Sequence, residues 1–558
     1  MIKIFRNVCF CFLIIISSAG CKKDFLEFPF TEGPVTEENV WGSDRNARGY
    51  LNFAYRGLGI AQERYSIGGA MLASASDEAV NSDLSAAINI FNNGTWGPQR
   101  TIDDQYANMY SWLRMANTFL EKAPTSVIFP QQEIPSLRGE AFFLRAMYHF
   151  ELFKRYGRIV LATRTFSQTE NLNLPRNSVD DVVKQISADC DSANRLLTAV
   201  WTGEGTVAPF NDGYDAANRG RATKAAALAL KSRLLLYYAS SLYNNANDIS
   251  RWQAAADAAK AVIDLNKHTL VTRTLLASLW DYNTSLVYNK EVIFASTAVA
   301  ANTIEVNNAP IGFGGLGRTN PTQDLVDAFE MTNGKPISDP TSGYNPANPY
   351  LNRDPRLALF IITNASTFKI GTVPARSVET FDGGLDNILS NPNATKTGYY
   401  MRKFLSEAAG ITPAVQRRRP WVFFRYAETL LNYAEALNEA VGPNTEVLNA
   451  VNFVRVRGGL PALLSGLSKE QMRDRIRNER RVELSFEEHR FFDVRRWKLG
   501  EAIFNAPVRG MKITKAGTLF TYAPFVVESR VFTSKNYLFP IPQAELNKAP
   551  ELQQNPEY

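Results

Sequence analysis

The sequence predicts a mainly α-helical fold, in which tetratricopeptide-like helix pairs form a scaffold that carries long irregular loop insertions and a few short strands. Apolar residues recur at helical spacing over residues 44–265 and again over 420–497. Between these stretches, over 267–419, glycine, proline, asparagine and threonine dominate, as is typical of loops. Hydrophobic residues make up 45% of the 558 residues and charged residues 21%, values that predict a folded chain with a large core.

The first residues have the pattern of an export signal. Lys3 and Arg6 precede an apolar run over 8–16, which is far shorter than the ~20 residues that span a bilayer as a helix. The small residues that follow end in the sequence SAGC, which resembles the bacterial lipobox. In a lipobox the cysteine, here Cys21, becomes the lipidated first residue. We therefore predict a lipoprotein signal peptide over 1–20 and a lipid anchor on Cys21. The alternative is an ordinary signal peptide with a cysteine nearby.

Helices are predicted in chain order from the apolar spacing and from capping residues. They cover 44–61, 102–122, 135–156, 178–199, 223–243 and 249–265, and after the insertion 426–440, 445–457 and 469–489. Asn177 or Ser178 caps the fourth helix, and Ser468 with Gln471 fits a capping box at the start of the last. Short strands are expected at 291–295 and 357–363. The tail, 498–558, is expected to be irregular with one hairpin.

Two sets of apolar positions match the helix pairs of tetratricopeptide units. In the first, Trp252, Ala255, Ala259, Val262 and Ile263 have the spacing of a second helix, and the helix over 223–243 is its partner. The second set comprises Ala434, Leu437, Ala440, Leu448, Val451 and Val454. Generic helix pairs are the alternative. In either case each pair buries only one face, so the pairs must stack on each other, and we predict a single domain over 21–558.

Composition excludes several classes of function. The formal net charge is only +6, from 61 basic and 55 acidic residues, which argues against a dedicated nucleic-acid binder. Three histidines exclude a His-rich metal site, and neither a metal nor a cofactor is predicted. The motifs of phosphate loops, zinc proteases and serine hydrolases are absent from the sequence. His149 and Cys190 fall within apolar helix stripes and are predicted to be core residues.

Four blocks of sequence, in a fixed order, resemble the SusD/RagB family of Bacteroidetes outer-membrane lipoproteins. They are CKKDFL at 21–26, RGEAFFLRAMYHFELFKRYG at 138–157, NPTQDLVDAFEMTNG at 320–334 with NRDPRL at 352–357, and RYAETLLNYAEALNEA at 425–440 with NERRVELSFEEHRFFDVRRW at 478–497. The last residues, from Leu538 to Tyr558, also resemble the family's ending. Together the blocks span nearly the whole chain.

This resemblance implies a SusD-like fold and a nutrient-binding lipoprotein that faces the cell exterior. Its expected partners are a SusC-like TonB-dependent outer-membrane transporter, an oligosaccharide or other nutrient, and outer-membrane lipid through Cys21. In the family, the helical scaffold docks on the transporter and the loops inserted between helices bind the nutrient. Catalysis is not expected.

Ligand-binding residues are predicted on loops that mix aromatic and polar side chains, because a sugar has weakly polar faces that stack on aromatic rings and hydroxyl groups that need hydrogen bonds. The candidates are Arg64, Tyr65, Asp77, Asn93, Trp96 and Arg100, with Tyr344 and Tyr350 as second choices. Trp96 is the leading candidate, since Gly94 and Gly97 flank it. The alternative for Trp96 is a core tryptophan that anchors its loop.

Two rival functions remain open at this point. A surface glycoside hydrolase requires two carboxylates that face a cleft, roughly 5–9.5 Å apart. A tetratricopeptide scaffold with no small ligand requires that the loops lack a surface with exposed aromatic residues. The sequence does not identify the ligand.

Overall fold

The computed structural model of the chain describes residues 37–59, 67, 69–125, 128–167, 169–198, 220–280, 289–296, 299–412 and 415–558. The fold is mainly α, as predicted. Its α-helices are α1 (Glu37–Trp41), α2 (Asp44–Ala54), α3 (Asn89–Asn92), α4 (Tyr106–Lys122), α5 (Ile134–Tyr156), α6 (Val179–Leu196), α7 (Lys224–Ala239), α8 (Ile249–Asp264), α9 (Arg273–Leu276), α10 (Thr303–Asn308), α11 (Gln323–Ala328), α12 (Arg356–Phe360), α13 (Tyr426–Val441), α14 (Thr445–Gly458), α15 (Lys469–Glu483), α16 (His489–Arg496), α17 (Gly500–Phe504) and α18 (Gln543–Lys548).

The long helices stack in chain order. Helix α4 packs on α5, α5 on α6, α6 on α7 and α7 on α8. Helix α8 then packs directly on α13, although residues 265–425 separate them in sequence. Helix α13 in turn contacts α14 and α15. The scaffold is therefore continuous, and the segment between α8 and α13 is an insertion on it, as the sequence predicts.

The predicted caps are present. The Ser178 side chain accepts the backbone N–H of Asp181 at the start of α6. Ser468 and Gln471 form the predicted capping box of α15. His149 and Cys190 are buried in the core, as predicted, and His149 Nε2 accepts the backbone N–H of Ala162.

The strands form small two-stranded antiparallel sheets. The pairs are β1 (Ala79–Asn81) with β4 (Thr319–Pro321), β2 (Val292–Ala295) with β10 (Val422–Arg425), β3 (Val299–Ala301) with β9 (Arg417–Arg419), β5 (Ile361–Ile362) with β8 (Tyr400–Met401), β6 (Thr367–Ile370) with β7 (Val373–Ser377), and β11 (Val508–Ala516) with β12 (Leu519–Glu528). The last pair is the hairpin predicted in the tail. The β1–β4 pair joins the first long loop to the insertion.

Two element predictions are wrong. The expected strand over 357–363 is mostly helix α12, because the Asp354 side chain accepts the backbone N–H of Arg356 and starts a helical turn. The expected helix over 469–489 ends at Glu483, and α16 begins only at His489. Arg425 and Lys403 donate hydrogen bonds to the backbone oxygen of Glu483. This oxygen therefore has hydrogen-bond donors without a further turn of the helix.

A buried ion-pair network holds the insertion against the last scaffold helices. Its basic members are Arg356, Lys403, Arg425, Arg455 and Arg457, and its acidic members are Glu291, Glu330, Asp354, Glu479, Glu483 and Glu487. The exposed fraction of these side chains is 6% or less. We call this set the central ion-pair network. Buried charges are costly unless each is paired, so the network fixes where the insertion lies.

Glu483 is the most highly connected acid of this network. It accepts hydrogen bonds from Arg356, Arg425 and Arg457, with Arg356 Nη1 at 3.0 Å and Arg425 Nη1 at 2.7 Å. Burial by itself raises the pKa of a carboxyl group, but the positive charges of Arg457 and its two neighbours lower the pKa of Glu483 far below its usual range. Glu483 therefore stays ionised inside the protein.

Trp96 is a core residue. Only 2% of it is exposed, and its ring lies edge-on to Phe91 and Phe539, with ring centroids 5.0 and 5.1 Å away. Gly94, at a φ of 68°, gives the loop the tight turn that carries the indole inward. The prediction that Trp96 presents a free ring face to a ligand is therefore wrong, and the alternative of a loop-anchoring tryptophan is correct.

We predict that Glu483→Gln lowers the free energy of unfolding by about 3–5 kcal/mol, because buried guanidinium groups then lose a shared counter-charge. Asp474→Asn is the matched control, since Asp474 is an exposed acid on the same helix, and it should change stability by roughly 0.5 kcal/mol or less. Urea denaturation measures both values. Equal stability of the two variants would show that the network does not hold the fold.

For Trp96→Ala we predict a loss of about 3–5 kcal/mol of unfolding free energy, as expected when a tryptophan is removed from a core. Leu84→Ala, at a position in the same loop that is 64% exposed, should have little effect. Thermal and urea unfolding give the comparison. A fully stable Trp96→Ala variant would contradict the core assignment.

Candidate functional site

The candidate site lies where the hairpin β11–β12 meets the insertion. Tyr344, Tyr350 and Tyr522 are each partly exposed there. The rings of Tyr350 and Tyr522 are nearly perpendicular, at 87°, with centroids 5.6 Å apart. Asp327 lies near Tyr344 and accepts a hydrogen bond from Arg509, which also binds Asp324. We call the three tyrosines and these three charged residues the tyrosine surface.

A chain of hydrogen bonds fixes the tyrosine surface. Tyr350 donates its hydroxyl hydrogen to the Tyr399 oxygen, 3.1 Å away, and Tyr399 donates to Gln323 Oε1 at 2.6 Å. Gln323 Nε2 then donates to Asp327 Oδ1 at 2.6 Å. Arg509 donates from Nη2 to Asp327 Oδ2 at 2.9 Å and from Nε to Asp324 Oδ1 at 2.8 Å. The Tyr350 ring and the charged groups are thus positioned before any ligand arrives.

Helix α11 and the hairpin explain this geometry. Asp324 and Asp327 lie on α11, whose first turn is capped when the Thr322 side chain accepts the backbone N–H of Leu325. Strand β11 contacts α11, and the backbone N–H of Arg509 also donates to Asp324. On β12, Phe520 and Tyr522 are partly buried, while Leu519, Thr521 and Ala523 are exposed. The alternation of the strand therefore turns Tyr522 towards the insertion.

The charge states suit recognition of neutral polar groups. Burial raises the pKa of Tyr344, Tyr350 and Tyr522, so their hydroxyl groups remain protonated at neutral pH. Burial disfavours the charged form of Arg509, but its bonds to Asp324 and the charges of Asp324 and Asp327 more than offset this and raise the pKa of Arg509. The surface combines un-ionised aromatic rings with fixed charged donors and acceptors. It can therefore contact a flat, weakly polar face and hydrogen-bond hydroxyl groups around it.

The sequence-predicted candidates do not form one site. Tyr344 belongs to the tyrosine surface, where the Arg353 guanidinium lies 5.5 Å from its ring centre. Asn93 and Arg100 are exposed on the turn that buries Trp96, and both bind Thr95. Arg64, Tyr65 and the lipidation candidate Cys21 lie outside the described residues.

Asp77 forms ion pairs with two arginines of the scaffold. Its carboxylate accepts hydrogen bonds from Arg481 at 2.7 Å and from Arg490 at 2.8 and 2.9 Å. Both arginines belong to the block at 478–497, so these bonds tie the first loop to α15 and α16. The prediction that Asp77 is available to a ligand is wrong in this structure, because both its oxygens are engaged.

Sequence reasoning missed Tyr522, Arg509, Asp324 and Asp327. The two aspartates stand in the block at 320–334, which served only as a marker of the family. In the sequence, Phe520 and Tyr522 alternate with Thr521 and Ala523, and this alternation was the available signal for Tyr522. The sequence does not show that this strand reaches the insertion. Among the described residues, no group of three or more His, Cys, Asp or Glu side chains is placed to hold a metal ion.

Comparison with known protein families gives two matches. Residues 280–558, half of the chain, match the SusD family model, and residues 58–236 match a model described as "Starch-binding associating with outer membrane". Together the two matches include most of the helical scaffold, most of the insertion and the tail, but not residues 237–279.

Individual relatives match this chain over most of its length and most of their own. SusD-like protein P38 of Formosa agariphila is 24% identical over 91% of this chain and 95% of its own length. A SusD-like protein of Bacteroides fragilis has a similar structure, with a TM-score of 0.78, 29% identity, and coverage of 94% of this chain and 99% of its own. A structure described as a laminarin-binding SusD-like protein has a TM-score of 0.64 at 20% identity and covers 92% of this chain and all of its own. These matches confirm the resemblance and the predicted fold: the chain belongs to the SusD family.

Proposed function

We propose that this protein is a non-enzymatic, cell-surface lipoprotein that binds a glycan for uptake through the outer membrane. The observation that carries the proposal is the tyrosine surface, because it presents partly exposed rings beside fixed hydrogen-bonding groups. The names of relatives support a glycan as the ligand, since one matching family model is described as starch-binding and one relative as laminarin-binding.

The positions of the protonatable carboxyl groups favour binding over glycoside hydrolysis. A hydrolase needs a general acid, and such groups have a raised pKa. In the part of the chain that the structure describes, the carboxyl groups with a raised pKa are Glu78, Glu140, Asp189, Glu305 and Glu330. Each is 3% exposed or less. Burial and the charge of Asp77 raise the pKa of Glu78 to about 8, yet Glu78 is only 1% exposed and cannot reach a substrate.

The second part of the proposal is attachment through lipid on Cys21 and action beside a SusC-like TonB-dependent transporter. The lipobox-like sequence before Cys21 and the family membership support it. No helix in the described ranges has both the length and the apolar character to cross a bilayer. Several acyl chains on one cysteine give stable attachment, whereas a single chain is marginal.

We predict that Tyr344→Ala and Tyr522→Ala each weaken glycan binding about tenfold, because a lost ring contact of about 1.4 kcal/mol corresponds to that factor. Calorimetric titration with oligosaccharides from starch and from laminarin measures the effect. Tyr344→Phe and Tyr522→Phe keep the ring and should retain most of the affinity. Phe453→Ala, which removes an exposed ring from the scaffold helix α14, is the control and should bind as the unchanged protein does. Unchanged affinity in both Tyr→Ala variants, with the fold intact, would exclude the tyrosine surface as the glycan site.

Cys21→Ser should release the protein from the membrane fraction, because this residue is the proposed site of all the acyl chains. Fractionation of cells followed by a high-salt wash measures the release, and Cys190→Ser serves as the control since Cys190 is buried in the scaffold. Co-purification of the unchanged lipoprotein with a β-barrel transporter, in mild detergent, tests the partner. Retention of Cys21→Ser in the washed membranes would contradict the anchor.

A further inference from the structure

Helix α14 has a second apolar side that nothing in the described chain covers. Its inner residues Val447, Val451 and Val454 are fully buried against the scaffold. Phe453 and Val456, however, are 47% and 57% exposed. With Asn449 they have the spacing i, i+4 and i+7, which places all three on one face. This is the spacing with which a helix contacts another helix.

The outer side of α14 borders a groove of ≈ 540 Å³ between α8, α13 and α14. Its floor is apolar and includes Ile263 of α8, Leu430 and Tyr433 of α13, and Ala450 of α14. Leu430 and Tyr433 are 4% and 7% exposed, so they form a fixed floor. We call this feature the α14 groove. An apolar groove between helices can receive the apolar face of an additional helix.

The rim of the α14 groove is acidic. Glu446 of α14 and Lys260 of α8 line it, and the negative charges of Asp257 and Asp264 of α8 also act on Tyr433 in its floor. Lys260 is already paired with Asp264. Tyr433 donates its hydroxyl hydrogen to Glu446 Oε2 at 3.0 Å. Burial is the main cause that raises the pKa of Tyr433 to about 12, and the hydrogen bond to Glu446 and the negative charges of Glu446, Asp264 and Asp257 contribute to the same shift.

We propose that the α14 groove binds an amphipathic helix of a partner polypeptide, with large apolar residues on one face and Lys or Arg residues beside them. The apolar face would cover Phe453 and Val456, and the basic residues would meet Glu446 and Asp257. Charge complementarity selects a basic helix, because an acidic or neutral helix would leave the negative charges of the rim without a partner. The proposal is independent of the tyrosine surface and of glycan binding.

Selection from a displayed library of random peptides about 14 residues long, the length of α14, against the full chain tests the proposal. The enriched peptides should carry apolar residues at helical spacing and a net positive charge. Their affinity, measured by fluorescence anisotropy with synthetic peptides, should fall about tenfold or more with Phe453→Ala. It should also fall as salt is raised from about 50 to about 500 mM, and less steeply so for Glu446→Gln. Leu464→Ala, at a position outside the groove lining that is 82% exposed, should leave the affinity unchanged.

Several results would overturn the proposal. One is a selection that yields only acidic or uncharged peptides, or none. Another is equal binding of the selected peptides to Phe453→Ala, provided that urea unfolding shows the variant to be folded. A third is a concentration-dependent dimer in analytical ultracentrifugation that Phe453→Ala abolishes, since a second copy of the chain would then be the occupant. Loss of peptide binding with unchanged glycan binding supports the proposal, whatever the ligand of the tyrosine surface proves to be.

Discussion

Pairing of buried charge is the constraint on which the rest of the structure depends. Arg356, Arg425 and Glu483 are each 2% exposed or less. The two arginines are acceptable inside the protein only because Glu483 and other carboxylates pair with them, and Glu483 only because arginines pair with it. Arg356 lies in the insertion, Arg425 precedes α13, and Glu483 ends α15. These ion pairs therefore decide how a long irregular segment lies on a helical scaffold. In the insertion, Tyr344 and Tyr350 are close in sequence to Asp354 and Arg356. The central ion-pair network therefore also fixes the position of the tyrosine surface.

The same constraint explains the sequence blocks. The segments at 352–357, 425–440 and 478–497 look like separate markers in the sequence. In the structure their charged residues meet, since Arg356 binds Glu479 and Arg496 binds Glu435. Most of the buried pairs join different segments rather than neighbours on one helix. The spacing of charged residues along one helix predicts ion pairs between neighbours on that helix. It does not reveal partners that are more than a hundred residues away.

Periodicity and capping predict the scaffold well because both are local. The starts of α6 and α15 follow from Ser178 and Ser468, and the bounds of α5 and α8 lie within a residue or two of the expected ones. The break after Glu483 was not predictable, since Arg425 and Lys403 bind its carbonyl oxygen from elsewhere in the chain. Trp96 shows the same limit: flanking glycines indicate a turn, but only the position of Phe539 decides that the ring turns inward. The tyrosine surface combines Asp324 with Arg509, and no local pattern joins them.

The two proposed binding sites lie on different parts of one molecule, the glycan site on the insertion and hairpin and the polypeptide site on the scaffold. We propose above all that the tyrosine surface holds the glycan. The most direct measurement is a crystal structure of the protein with the oligosaccharide that binds it most tightly. We expect sugar rings to lie against Tyr344 and Tyr522, with hydroxyl groups of the sugar hydrogen-bonded to Arg509, Asp324 or Asp327. An oligosaccharide bound elsewhere, for example on the turn that carries Asn93 and Arg100, with the tyrosine surface unoccupied, would contradict it.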